Sequence, residues 1–137
     1  MKRTEFDGKQ WILELINASP LKSAINGKVY KNRRPSDSAK EDIVINGVSV
    51  DNTWMQDGIF NVNIYVPYQQ VKIDGTTQAM PNESRMKQLT DIAYPVFDEI
   101  YQEQFNLTIV RTEVIEEDKE NANYINFRIN LKAYPTI

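Results

Sequence analysis

A chain of 137 residues with 41% apolar and 26% charged residues has the size and composition of one globular domain. It contains neither cysteine nor histidine. This excludes a disulfide framework, a thiolate nucleophile, His-based acid–base pairs and Cys/His zinc sites. No run of about 18 apolar residues is present, and Asp7 and Lys9 interrupt any signal-peptide core. We therefore expect one domain over residues 1–137, with no contact to a membrane.

The first elements are a helix and a short strand. Apolar positions including Phe6, Ile12 and Ile16 share one helical face, which predicts a helix over residues 5–18. Pro20 ends it, because the residue before a proline is pushed out of the helical region. Residues 25–32 then indicate a strand, followed by a polar and basic loop that reaches about Lys40.

Two Asn/Asp-Gly pairs predict turns in the next segment. The apolar run 43–45 meets Asn46-Gly47, which is typical of a type I′ hairpin turn. Asp57-Gly58 indicates a second turn, after which residues 59–66 alternate between apolar and polar side chains. That alternation predicts a strand with one buried face.

The second half of the chain contains a helix and two long strands. A loop with Asp74-Gly75 leads into a helix predicted from residue 82 or 83 to Gln104, with a kink at Pro95. Strands are expected over 107–116 and 123–134. The acidic residues 116–121 form the hairpin loop between them.

These elements give the order α-β-β-β-α-β-β, with room for one further short strand. One apolar face per element predicts an α+β fold of two layers, with the helices packed on one face of a mostly antiparallel or mixed sheet. The other sheet face is expected to be solvated and carries Asn61, Asn63, Tyr65, Asn126, Arg128 and Asn130.

The net charge of −3 conceals a separation of charges along the chain. Residues 22–40 contain six bases and one acid, whereas residues 91–120 contain nine acids and two bases. The two segments either face each other within one molecule or form complementary patches on neighbouring subunits.

No residue pattern predicts catalysis or a bound metal. Ser19 and Lys22 have the spacing of a Ser-Lys pair, but Pro20 lies where that pair needs a helical turn. The acids around Glu116 lack the spacing and the glycine of a calcium loop. We expect no catalytic residue, no metal and no cofactor. A carboxylate-dependent enzyme stays open as an alternative, as does a nucleic-acid-binding module that uses Tyr30 and the bases after it.

Four segments resemble the tail terminator (tail completion) proteins of long-tailed bacteriophages. They are an Arg-Pro loop (28–37), a Glu-Asp step into a β-branched strand (41–45), an Asn-rich strand ending in Pro (58–67) and an alternating strand (124–131). The resemblance implies a non-catalytic subunit that forms a ring, usually of six copies, on the tail tube. That ring stops tube polymerisation and joins the tail to the head.

The resemblance also implies where the protein works and what it contacts. Assembly would take place in the host cytoplasm, and the final location would be the junction of tail and head. The partners would be copies of itself, the tail-tube protein and a head-completion or neck protein, while DNA passes the lumen without specific binding. Another head-tail connector or a minor tail component is the nearest alternative. The residues expected at subunit or partner interfaces are Lys31, Arg33, Arg34, Asp37, Glu41, Asp42, Glu116, Glu117 and Asp118.

Overall fold

The computed structural model describes residues 2–135, and these form three α-helices and eight strands. The helices are α1 (Glu5–Asn17), α2 (Pro20–Ala24) and α3 (Glu83–Phe97). The strands are β1 (Val29–Lys31), β2 (Ile43–Val50), β3 (Gln56–Pro67), β4 (Gln69–Ile73), β5 (Thr76–Met80), β6 (Ile100–Tyr101), β7 (Phe105–Glu117) and β8 (Ala122–Ala133). A 3₁₀ turn, Asp118–Glu120, separates the last two strands.

Six strands form one mixed sheet in the order β1-β2-β3-β8-β7-β6. β1 runs parallel to β2, and the other neighbours are antiparallel. β4 and β5 form a separate two-stranded hairpin. The predicted α+β class is therefore confirmed, but the predicted element order is only partly matched. The chain has a second helix before the sheet, and three short strands, β4, β5 and β6, that were not predicted as strands.

The core lies between the helices and one face of the sheet. Along β3 the buried residues alternate with half-buried ones, as the sequence predicts. Phe60 on β3 and Phe127 on β8 are fully buried, and Phe97 of α3 packs on Phe127 with ring centroids 5.7 Å apart. Each such side chain contributes about 1.5–3 kcal/mol through burial, which holds the helices to this face.

The turn predicted at Asn46-Gly47 is wrong. β2 continues through both residues to Val50, with an irregularity in the pairing between Gly47 and Ser49. Gly47 lies against the Glu5 side chain at the start of α1, and a Cβ there would displace the Glu5 carboxylate. The chain reverses only at residues 51–55, before β3 begins.

The turn predicted at Asp57-Gly58 is also wrong, because both residues lie within β3. The Asp-Gly pair that does form a tight hairpin turn is Asp74-Gly75, between β4 and β5. Their φ angles are 49° and 83°. Positive φ at both central residues is the geometry of a type I′ turn.

The two prolines differ in how well the sequence predicts their effects. Pro20 ends α1 and also begins α2, since the fixed φ of proline suits the first turn of a helix. The helix that contains Pro95, α3, is predicted to reach Gln104 but ends at Phe97, two residues after Pro95. There the Asp98 carboxylate accepts the backbone N–H of Ile109 at 3.0 Å, which directs the chain onto β7. Of the strand predicted over 25–32, only Val29–Lys31 pairs.

Over the described range, no helix is both long and apolar enough to cross a membrane.

Candidate functional site

The loop between β1 and β2 is held in place by the side chain of Arg34. That side chain is only 4% exposed. Its guanidinium donates to Asp42 and to Glu120, both at 3.3 Å, and to the carbonyl of Lys40 at 3.1 Å. It also lies 3.8 Å from the centre of the Tyr65 ring. Arginine suits this position because its planar donor group pairs with carboxylates and stacks on aromatic rings at once.

Asp42 is the buried acid that this arginine neutralises. It is 1% exposed, and its carboxylate accepts the backbone N–H of Lys28 at 2.9 Å and the hydroxyl of Ser38. Burial raises the pKa of the adjacent Tyr65, and the negative charge of Glu120 adds to that shift. The loop is therefore ordered by a charge network rather than left as a free basic surface.

Glu41 forms a second internal ion pair, with Arg85 at the start of α3. The Arg85 guanidinium donates to the two carboxylate oxygens at 2.6 and 2.9 Å, and it also donates to the carbonyl of Ala24. The hydrogen bond to Glu41 raises the pKa of Arg85. This pair joins the end of α2, the start of β2 and the start of α3.

Three of the residues expected at interfaces are thus used inside the subunit. The side chains of Arg34, Glu41 and Asp42 are paired within the subunit and are almost fully buried, unlike the exposed side chain of Arg33. Sequence reasoning missed this because the partners Glu120 and Arg85 lie 86 and 44 positions away along the chain. The aromatic partner Tyr65 was placed only on a solvated face.

The other expected interface residues lie at the surface. Lys31, Arg33 and Asp37 are exposed, as are Glu116 and Asp118, while Glu117 is partly exposed. The Asp118 carboxylate accepts the hydroxyl of Tyr68 at 2.7 Å, which raises the pKa of Tyr68 to about 12. The hydrogen bond does this because it favours the neutral phenol beside a negative charge.

The basic loop and the acidic turn lie side by side in one subunit. The Arg34–Glu120 pair joins them, and a cleft of about 330 Å³ between them is lined by residues of both segments, including Asp37 and Lys119. The interpretation in which the charged segments meet within one molecule is therefore correct for this pair.

Other exposed bases and acids lie at opposite edges of the sheet. Lys28 and Arg33 flank the edge strand β1, whereas Glu99 and Glu103 flank the edge strand β6, and all four are exposed. Five strand spacings separate these edges, or about 24 Å. The subunit therefore has one basic edge and one acidic edge.

The sheet face opposite the helices is an ordered polar surface rather than a simply solvated one. The amide of Asn126 donates to Asn63 across the strands at 2.7 Å, and Arg128 donates to Asn61 at 3.4 Å. Asn126 is only 7% exposed. Cross-strand pairs of this kind stabilise register.

Within residues 2–135, no group of three or more acids is placed to hold a metal ion. The hydroxyl of Ser19 donates to the carbonyl of Ile16 at 2.7 Å, whereas a Ser nucleophile would donate to its base. The candidate functional features among the described residues are surfaces: two charged edges, a polar sheet face and the β4–β5 hairpin.

Comparison with known proteins gives a match of fold only. No protein-family model matches the chain, and no curated protein matches it. Among solved structures, a chain of the virion of a native gene transfer agent particle is similar, with a TM-score of 0.57 and 12% sequence identity. The similarity covers 89% of this chain and 90% of that one. The two chains share their fold over nearly their whole lengths.

Proposed function

We propose that this protein is a structural subunit of a phage-like particle, and more specifically a tail terminator. In this role, copies form a ring, usually of six, on the head-proximal end of the tail tube, stop its polymerisation and provide the surface for the head. The observation that carries the proposal is the fold shared with a virion chain over 89% and 90% of the two lengths. Fold alone does not fix function, so the resemblance of the four sequence segments is the second support.

The two charged edges support a head-to-tail ring. A ring with rotational symmetry needs two different, complementary surfaces on each subunit. The basic edge at β1 and the acidic edge at β6 lie on opposite sides of the sheet, so the basic edge of one copy can meet the acidic edge of the next. A twofold contact would instead bring like charges together at either edge.

Ring assembly on the end of the tail tube is consistent with weak contacts between the charged edges. Each exposed pair contributes only about 0.2–1 kcal/mol, so free copies associate weakly. A tube end that binds several copies raises their local concentration, and contacts between neighbours then close the ring. The other partners in this proposal are the tail-tube protein and a neck protein, and DNA passes through the lumen without specific contacts.

Electron microscopy of tail tubes assembled with and without the protein tests this function. We expect tubes of limited length with a ring at one end when the protein is present, and tubes of unlimited length when it is absent. Tubes that bind the protein at an end but keep growing would favour another head-tail connector or minor tail component. Tubes that neither bind it nor change in length would contradict a role in the tail.

A further inference from the structure

The β4–β5 hairpin projects from the body of the subunit. Its two strands of five residues each extend about 17 Å. β5 is exposed along its whole length, and only Val71 of β4 is partly covered. In the part of the chain that the structure describes, the hairpin makes no extended contact with any other helix or strand.

One face of this hairpin carries its larger apolar side chains, and these stay partly exposed, with Ile73 at 38% and Met80 at 36%. Side chains that are paired across the strands lie on the same face, so Val71, Ile73 and Met80 share one face with Thr76 and two glutamines. The opposite face holds Lys72, Thr77, Gln70 and Ala79. Two isolated strands are marginally stable in water, so an amphipathic hairpin of this kind gains stability only when its apolar face is covered.

An apolar groove lies elsewhere on the subunit. It is formed by the end of α1, the second half of α3 and the edge strand β6, and its volume is about 490 Å³. Its apolar walls come from Leu15, Ala18, Ile92, Pro95, Val96 and Ile100. No charged residue lines it. The groove borders the acidic edge of the sheet, because Ile100 follows Glu99 directly.

The hairpin of one subunit does not fill the groove of that same subunit. The hairpin joins α3 at its first turn, whereas the groove lies at Ile92–Val96, about 14–20 Å further along the helix. None of the hairpin residues lines the groove. The two surfaces are therefore separate, and each is available to another copy.

We propose that the apolar face of residues 69–80 docks in this groove on a second copy of the chain. The two surfaces match in chemistry, since the groove is free of charge and the hairpin face that enters it carries no charged residue. The contact is head to tail, because each copy donates a hairpin and receives one, and repeated rotation closes a ring. It also adds to the contact between the charged edges, because the groove adjoins the acidic edge.

Cross-linking between two differently substituted populations tests this docking. The chain has no native cysteine, so Ile73→Cys subunits can be mixed with Ala18→Cys subunits and treated with a short bis-maleimide linker at high protein concentration. We expect a covalent heterodimer. The matched control replaces Ile73→Cys with Lys72→Cys, an exposed neighbour on the opposite hairpin face, and should give a much lower yield. Equal yields for the two positions, or no heterodimer at all, would overturn the proposal.

A second measurement uses exposed positions in the groove. Ala18→Arg places a charge where the hairpin face would dock, and we expect self-association to weaken by about tenfold or more, because that charge loses its hydration. Asn17→Arg, on the adjacent exposed residue outside the groove, is the control and should leave association unchanged. Equal effects of the two substitutions in sedimentation velocity would contradict the docking.

This inference rests on the part of the proposed function that brings copies side by side. Different results would refute the docking and the tail function. Protein that still caps tail tubes but gives no Ile73 cross-link refutes the docking alone. Protein that gives the cross-link in solution but never binds a tube refutes the tail function and leaves the docking in place.

Discussion

Arg34 and Glu120 are 86 positions apart in the chain, yet their side chains pair at 3.3 Å and close the β1–β2 loop onto the β7–β8 turn. The same guanidinium neutralises Asp42, which is 1% exposed. Arg34→Gln leaves that carboxylate without its counter-charge. We expect the free energy of unfolding to fall by about 3 kcal/mol, at the lower end for a broken buried pair because Ser38 and Lys28 still donate to Asp42.

Chemical denaturation measures this loss, and the neighbouring residue is the control. Arg33 is exposed, so Arg33→Gln should change stability by no more than about 0.5 kcal/mol. If the two variants unfold at the same denaturant concentration, Arg34 does not hold the loop as described.

Replacing Gly8 by alanine should lower the stability of the fold, although the same substitution usually stabilises a helix. In the middle of an exposed helix, Gly→Ala stabilises by about 0.8–1.0 kcal/mol. Here a Cβ on Gly8 would lie inside the contact distance of the Phe60 ring. We therefore expect Gly8→Ala to destabilise by about 1–3 kcal/mol through overpacking. Thermal unfolding checks this against Glu14→Ala on the exposed side of α1, and a raised melting temperature for Gly8→Ala would contradict the close packing of α1 on β3.

Adjacent residues on β8 should differ in the cost of truncation. Phe127 is fully buried, so Phe127→Ala should cost about 3–5 kcal/mol. Asn126 is on the polar face and bonds to Asn63, so Asn126→Ala should cost about 1 kcal/mol, rather than nothing as a solvated face would imply. The denaturant midpoints of the two variants measure both losses. Equal losses of stability for Phe127→Ala and Asn126→Ala would refute the strand register.

Some of this fold follows from the sequence, because local periodicity reports which side of an element is buried. The faces of α1, β3 and β8 are of this kind. The wrong turns at Asn46-Gly47 and Asp57-Gly58 show the limit, because both pairs lie inside paired strands and no local signal distinguishes them from turns. The hairpin 69–80 carries a usable signal that was missed: Asp74-Gly75 follows Val71 and Ile73 in alternation.

The charges illustrate a different limit on sequence reasoning. Arg33 and Arg34 are identical neighbours in a polar loop, but one is exposed and the other is buried in a network with Asp42 and Tyr65. No local pattern separates them, because what buries Arg34 comes from distant strands. The edges of the sheet are likewise defined only once the strand order is known.

Tyr68 should be among the last tyrosines to ionise. Its pKa is raised to about 12 by its hydrogen bond to Asp118, with Glu116 and Glu117 adding negative charge. Because the folded pKa lies above the ordinary value near 10, the stability from this bond is present below pH 10 and is lost as the pH rises toward 12. Wild type and Tyr68→Phe should therefore differ in stability at neutral pH and converge over that interval.

Spectroscopic titration of the tyrosines provides the direct test. Asp118→Asn removes the negative acceptor and should bring the pKa of Tyr68 down toward 10. An unchanged titration in that variant would mean that the bond to Asp118 does not set this pKa.

The charged edges predict a compensating pair of variants. Lys31→Glu with Arg33→Glu should leave the fold intact, because both residues are exposed, and should weaken association in a salt-dependent way. Mixing this variant with Glu99→Lys/Glu103→Lys subunits should restore mixed oligomers in native mass spectrometry. Rescue by Glu116→Lys/Asp118→Lys instead would identify the acidic turn as the partner surface.

The position of β8 between β3 and β7 has a consequence for how the protein is made. β3 pairs with β8 across up to 77 positions, as between Gln56 and Ala133, so the contact order is high and folding is expected to be slow. While a ribosome has yet to deliver β8, the apolar faces of β3 and β7 stay open to other nascent chains. A cell with little free chaperone should therefore accumulate this protein as aggregates, and added chaperone should raise the soluble fraction without any change in the sequence.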